Sequence, residues 1–426
     1  MEHKKFNYRH LDELKEDITR ADVELPVSES LAALKTSSKL NGKLLPNRLV
    51  NHPMEGCDGT AAGAPTELTF RRYERLSAGG AGLLWVEACA ISNEGRGNAR
   101  HLYLNQNTLP AFKKLKAKES PYTILQLTHA GRYSKPYPGA TAIVAVAENP
   151  ILDPVSNPNR RLITDEELEN LEDSFVETAL LAKEAGFDAV DIKSCHRYLI
   201  SELLSAHTRE GWYGGSFDNR VRFLLNIIDK VKVHVDIDIA VRLNAYDAIP
   251  YPYGWGTDAN GFPALDEPRR LIQLLWEKGV HLVNITTGNP YFNPHIGRPA
   301  DIGFKKAPEH PIESAARMLY IIKEMKDAAP EMTIVGTGFS WFREFGANIA
   351  AGCIEQSWMD QAGFGRQSFA YPDFAQDIMT EGAMKREKCC ITCNKCTELM
   401  RYNGKTGCVI RDSSVYLPLW RETCGL

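Results

Sequence analysis

From about residue 45 onward, short apolar runs alternate with longer amphipathic ones. Brief, near-continuous apolar runs bounded by turn residues read as buried strands. The chain offers eight: "RLVNHPM" (48–54), "AGLLWVE" (81–87), "YTILQL" (122–127), "FDAVDIK" (187–193), "IDIAVRL" (237–243), "VHLVNIT" (280–286), "MTIVGTG" (332–338) and "IEQSWMD" (354–360). Helical periodicity predicts helices over 165–185, 218–232, 266–278, 311–328 and 341–351. Thr164 precedes Asp165, Glu166 and Glu167, and Glu167 stands at capping-box spacing. "KEAGFD" and "EKGVHL" each put a glycine between a helix and the next strand. Eight strands with helices between most of them predict a (β/α)8 TIM barrel carrying insertions. A doubly wound sheet is the alternative, but the GxGxxG that usually follows its first strand is absent.

The same pattern divides the chain. Residues 1–40 read as a helical N-terminal extension, 41–375 as the barrel, and 376–426 as a cysteine-rich segment outside the barrel pattern. The stretch "YDAIPYPYGWGTDANGFPALDEP" (246–268) is too long for a plain turn. In a barrel it would lie on the C-terminal face, where loops carry function.

Composition narrows the function. Among 426 residues, 43% are hydrophobic and 24% charged, with a net charge of −4. That balance lacks the basic excess a phosphate backbone requires, so nucleic acid is not an expected partner. No apolar run reaches the length of a membrane span. The charged opening "MEHKKFNYRHLDELKEDITRADVEL" lacks the apolar core of a secretory signal, so a cytoplasmic location is expected. Six of the ten cysteines lie at or beyond 389: Cys389, Cys390, Cys393, Cys396, Cys408 and Cys424. A cluster confined to one tail reads as a metal site rather than as a disulfide framework.

Several residues carry candidate chemistry. "GTGFS" follows the seventh strand with Gly336 and Gly338, and "GFGRQ" is expected directly after the eighth, with Gly363, Gly365 and Arg366. Barrels frequently bind phosphate between these two loops, where glycines admit backbone N–H groups and an arginine adds charge. Arg242 lies inside an apolar strand and needs an anion, either a ligand or an internal partner. "DIKSCHRYL" (191–199) gathers Lys193, Cys195, His196 and Tyr198 at a strand end. By alternation Cys195 faces the opposite way from its neighbour His196 and reads as packing.

"NRLVNHPM", "ILQLTHAGR", "AKEAGFDAVDIKSCHRYLISELLS", "YGGSFDNRVRF", "VRLNAYD" and "GFGRQSFAYPDF" resemble, in order, the successive motifs of the Old Yellow Enzyme family of FMN-dependent barrels, over roughly residues 40–375. The resemblance implies an FMN oxidoreductase. It gives Arg242 a place at the flavin N1/O2 edge and Gln126 a hydrogen bond to the pyrimidine edge. Pro53 and Met54 would supply backbone contacts near the reactive nitrogen, and Gly338, Gly365 and Arg366 the phosphate site. It makes His196 a hydrogen-bond donor to the substrate's electron-withdrawing group and Tyr198 the proton donor.

Two positions depart from the family pattern. Lys193 stands where the family usually has histidine. It would stabilise an enolate oxygen, bind a substrate carboxylate or pair with Glu55 across the pocket. Glu55 replaces a small or neutral residue that tunes the flavin; it either acts on the ring or turns outward to a cation. Tyr251, Tyr253 and Trp255 of the long loop are expected to cover a planar or hydrophobic substrate, with a purely packed loop as the plain alternative.

In the tail, Cys390-x2-Cys393-x2-Cys396-x11-Cys408 suits a [4Fe–4S] cluster, with zinc as the rival ligand and an empty motif as the third option. Its place after a barrel is similar to the 2,4-dienoyl-CoA reductase and trimethylamine dehydrogenase branches. The leading expectation is an ene-reductase that takes electrons from NADH or NADPH and reduces a small-molecule enone or enoate. The alternatives are an amine dehydrogenase passing electrons through the cluster to a protein partner, and an electron-transfer subunit of a larger complex. A homo-oligomer is compatible with each.

Overall fold

The computed structural model describes residues 2–116, 121–137, 140, 144–153, 160–301 and 308–425. Among them, eight parallel strands close into a barrel: β1 Leu49–Asn51, β2 Leu83–Ala90, β3 Tyr122–Thr128, β4 Ala189–Ser194, β5 Asp238–Tyr246, β6 Leu282–Thr287, β7 Thr333–Gly336 and β8 Gln361–Phe364. Each pairs in parallel with the next, and β8 returns to β1. The helices that carry the chain between them are α1 Glu67–Ala78, α2 Leu109–Lys116, α3 Asp165–Glu184, α4 Phe217–His234, α5 Asp266–Glu277, α6 Pro311–Ala328 and α7 Gly346–Glu355, and α8 Phe374–Glu381 follows β8. This is the (β/α)8 barrel that the hydrophobic pattern predicts. No described helix is long and apolar enough to cross a membrane.

Two expected elements moved. "IEQSWMD" is the end of α7 and a turn, with Ser357 at φ 59°, and the eighth strand begins only at Gln361. The helix expected over 341–351 splits into a 3-10 segment, Phe339–Phe345, and α7, with Arg343 at φ 50° within the 3-10 segment. The start of α3 is as predicted: Thr164 Oγ1 accepts from the Glu167 N–H at 3.1 Å, and Glu167 accepts from the Thr164 N–H at 2.8 Å. Thr164→Ala should therefore cost about 1 kcal/mol in urea or thermal unfolding; no loss would show that the cap is idle.

Alternation along the strands sets the character of the barrel interior. At its N-terminal end the inward positions are apolar: Val50, Leu83, Trp85, Ile124, Ala189, Ala240, Leu282 and Val335 form one cluster with Leu40 and Leu45. Those two leucines come from an antiparallel hairpin, Ser38–Leu40 with Lys43–Leu45, which closes that end. Two and four residues further along, the same faces carry Gln126, Asp191, Lys193, Arg242 and Asn284, all buried. A second cluster lies between strands and helices, and Phe6, Tyr8, Leu14 and Ile18 of the N-terminal segment join it. That segment holds a helix, Leu11–Arg20, and a short one, Ala32–Lys35.

Candidate active site

The polar half of the barrel opens at the C-terminal ends of the strands into a cavity of about 590 Å³. Its floor is a hydrogen-bonded unit around Asp191. This carboxylate accepts from Trp85 Nε1 at 2.9 Å, Gln126 Nε2 at 2.6 Å and the Arg242 backbone N–H at 2.6 Å. Burial pushes Asp191 up to about 6 even though these donors pull the other way. The Arg242 side chain reaches the cavity, and its Nε is buried with no hydrogen-bond partner among the described residues. A buried guanidinium in this condition calls for an anionic or acceptor-bearing ligand.

One wall carries the residues of "DIKSCHRYL". Lys193 Nζ lies 3.4 Å from Glu55 Oε1 and 3.9 Å from the centroid of the Tyr198 ring. The Tyr198 hydroxyl donates to the same Glu55 oxygen at 3.3 Å. Burial would raise the Glu55 carboxyl, but the Lys193 ammonium and the hydrogen bonds from Lys193 and Tyr198 hold it below its ordinary value. Burial and the Arg242 and Lys193 charges push His196 well below the usual imidazole range, so it is neutral. The strand ends at Ser194, and His196 and Arg197 follow at φ 62° and 57°. Such a left-handed pair is costly for L-residues. It is anchored by the buried ion pair of Arg197 with Asp247 at 2.9 Å. The turn brings His196 and Tyr198 to the cavity; Cys195 is buried outside its lining, its thiol pushed up to about 11 by burial.

The sequence model of the NADH:flavin oxidoreductase / NADH oxidase family matches residues 38–267, over half of the chain. The chain belongs to this family. The family is one of flavin-dependent oxidoreductases. An NADPH dehydrogenase of Listeria monocytogenes serotype 4a is 34% identical over 273 residues, covering 61% of this chain and 74% of that protein. An NADH oxidase of Thermoanaerobacter brockii is 27% identical over 371 residues, 85% of this chain. Among solved structures, a 2-naphthoyl-CoA reductase in complex with 2-naphthoyl-CoA superposes with a TM-score of 0.72 at 20% identity over 89% of this chain. The chain spans 52% of the length of that NADH oxidase and 57% of the reductase chain.

The cavity fits the flavin mononucleotide of this family. Its volume lies in the range of cofactor sites. Arg242 and the Asp191-bound Gln126 occupy one part of the lining, and Gly338, Gly365 and Arg366 the rim after β7 and β8. A Cβ at either glycine would stand 3.2 Å from a methionine sulfur, Met318 for Gly338 and Met54 for Gly365, so side chains there would crowd the rim. Arg298, which the sequence reading missed, also lines the cavity. Burial and its neighbours Arg366 and Arg401 pull its guanidinium down to about 10, the mark of positive charge gathered without a carboxylate. Pro53, Met54 and Glu55 line the cavity after β1.

Other expectations are redistributed. Gly336 and Gly363 lie within β7 and β8 rather than beyond them. A Cβ on Gly363 would come within 1.6 Å of His52 Nε2, so this glycine makes room for a buried histidine. That imidazole accepts from Asn284 Nδ2 at 2.9 Å and itself lines the cavity. Tyr251, Tyr253 and Trp255 do not line it. Trp255 is fully buried against Phe217, its backbone N–H donating to Asp247, and Tyr251 is exposed beside His207. The long loop is thus tied down by the Arg197–Asp247 pair and packs sideways. The aromatic cover comes instead from Tyr133, after β3, and Tyr291, after β6, stacked with centroids 3.9 Å apart. Their only signal in the sequence is their place beyond strand ends.

The cysteine-rich segment docks beside the cavity and completes it. Cys396, Met400 and Thr406 are in its lining. The Thr406 N–H donates to the Gly56 carbonyl at 2.6 Å, and Asp412 is paired with Arg71 and Arg75 of α1 at 2.7 and 2.8 Å. Cys390, Cys393, Cys396 and Cys408 line one small pocket of their own, with Arg366. Cys389 lies outside it, its thiol against the Lys385 carbonyl. Backbone N–H groups of Thr392 and Arg411 donate to the sulfurs of Cys390 and Cys408 at 3.4 and 3.3 Å. Among the described residues, no three His, Cys, Asp or Glu side chains gather around a single ion position.

Proposed function

We propose that this chain reduces the activated C=C bond of an enone, enoate or related acceptor. One observation carries the reading: a single cavity holds a rim and floor that fit FMN and, on the facing wall, a neutral imidazole beside a phenol. When bound, FMN supplies hydride transfer, and Pro53, Met54, Gln126, Arg242, Gly338, Gly365 and Arg366 are the residues that would hold it. The His196 N–H donates to the acceptor's oxygen as negative charge builds there. Tyr198 gives its phenolic proton to the α-carbon. Lys193 acts with Glu55: their pairing offsets the lysine's charge, so Lys193 stabilises the wall and steadies Tyr198 rather than selecting a carboxylate. NADH or NADPH is the electron donor.

Four thiols around one pocket, two of them receiving backbone N–H donors, support a [4Fe–4S] cluster there. A single zinc ion needs its sulfurs about 2.3 Å from one point, whereas a multi-iron cluster keeps its cysteines further apart. The same pocket favours a second reading, oxidation of an amine with electrons leaving through the cluster to a protein partner. Glu55 offsets the charge of Lys193, which would otherwise repel such a substrate.

Anaerobic purification followed by an absorption spectrum and iron analysis tests both cofactors, with FMN and about four irons per chain expected. Stopped-flow mixing with NADH, NADPH and trimethylamine then separates the readings. Bleaching by a nicotinamide supports reduction of C=C bonds, and bleaching by the amine alone overturns it. Protein purified without flavin would overturn the entire site assignment.

A further inference from the structure

We infer that Tyr291 is the proton relay of this site, resupplying Tyr198 from solvent; the inference rests on Tyr198 being the proton donor. The Tyr198 hydroxyl touches two groups, the Glu55 carboxylate at 3.3 Å and the Tyr291 hydroxyl at 3.0 Å. A phenol has one proton to donate. Glu55 is ionised beside Lys193 and can only accept, so the proton of Tyr198 points at Glu55 and Tyr291 must donate to Tyr198. The chain of donors therefore has a direction, from Tyr291 to Tyr198 to Glu55.

Tyr291 is the more open of the two: its residue surface is 45% exposed against 2% for Tyr198, and both line the cavity. The loop beyond β6 fixes its position: the Tyr291 N–H donates to Asn289 Oδ1 at 2.9 Å, and Asn289 Nδ2 donates to the hydroxyl of Tyr133, the ring stacked on Tyr291. Burial and the Glu55 charge push the Tyr198 phenol well above its ordinary value, so a lone tyrosinate left in this wall is costly. A second hydroxyl in contact removes the need for one.

The step balances. Bound, reduced FMN would supply the hydride that the β-carbon takes, and the C–H bond at the α-carbon forms as the Tyr198 O–H bond breaks. Tyr198 takes the proton of Tyr291, and Tyr291 takes one from water. The acceptor gains a hydride and a proton, the flavin is oxidised, and the protein is unchanged.

The test is Tyr291→Phe, which keeps the stacked ring and removes only the hydroxyl. Flavin content and the rate of reduction by nicotinamide report that the variant is folded. Reoxidation by the probe 2-cyclohexenone should slow about tenfold or more, within the range of proton-transfer effects. In mixed H2O and D2O, the rate for the unaltered protein should curve with deuterium fraction, because two protons move. For the variant it should become linear. An unchanged rate and unchanged curvature, with Tyr198→Phe slow, would overturn the relay and spare the donor assignment. A Tyr198→Phe variant as fast as the unaltered protein would bring down both.

Discussion

Tyr198→Phe should slow reoxidation of the reduced flavin by 2-cyclohexenone by about 10²- to 10⁴-fold, the usual contribution of a positioned general acid. Reduction of the flavin by NADH or NADPH should not change. The split follows from geometry. The phenol lines the cavity on the wall opposite the flavin-fitting glycines, and its hydroxyl is held by Glu55 and Tyr291. A phenylalanine keeps the ring over Lys193 and the packing with it, so loss of the proton is the dominant change. Single-turnover traces for the two half-reactions check it, and equal loss in both would refute the assignment.

Lys193→Met should destabilise the fold by about 3–5 kcal/mol, the cost of leaving a buried carboxylate without its partner. The Lys193 side chain is 2% exposed and that of Glu55 15%, so solvent cannot take over the pairing. The double variant Lys193→Met, Glu55→Gln should recover most of the loss, because no charge is then stranded. Urea unfolding of the two singles and the double measures the coupling. The pH dependence has a defined sign. Glu55 in the folded protein lies below its ordinary 4.5, so between these values the unfolded state binds more protons and stability rises with pH. The contribution of Glu55 is complete above about pH 4.5 and is lost as pH falls through the folded value. The advantage of the unaltered protein over Glu55→Gln should be flat near neutrality and shrink in acid; an advantage that grows on acidification would contradict an ionised Glu55.

Much of this site was legible because strand alternation is strict. Once β3, β4 and β5 are recognised, Gln126, Lys193 and Arg242 must point inward, and their position late in each strand puts them at the open end. The Lys193–Glu55 pairing was among the options the residue types themselves raised. What was not legible depends on contacts between distant segments. "IEQSWMD" looks like a strand, yet its residues finish a helix, and the true β8 contains a glycine that lowers its strand signal. The loop 246–268 reads as a substrate cover because it is rich in aromatics. It packs away because Arg197, three residues beyond the end of β4, pairs with its buried Asp247. Tyr133 and Tyr291 stand 158 positions apart in the sequence, and only the closed barrel stacks them.

The cysteine segment has one further consequence. Its Thr406 N–H holds the carbonyl of Gly56, the residue after Glu55, while Cys396 and Met400 stand in the cavity wall. A group seated among the four thiols and a molecule seated in the cavity therefore lean on the same stretch of chain, residues 396–406, with Cys396 in both linings. Thermodynamic linkage then acts in both directions and by one factor: whatever ordering the first confers on this stretch, the second inherits, and the reverse holds equally. Tail and barrel thus form a single cooperative unit at this point, and cutting the chain after the barrel would open the site as well as remove the thiols.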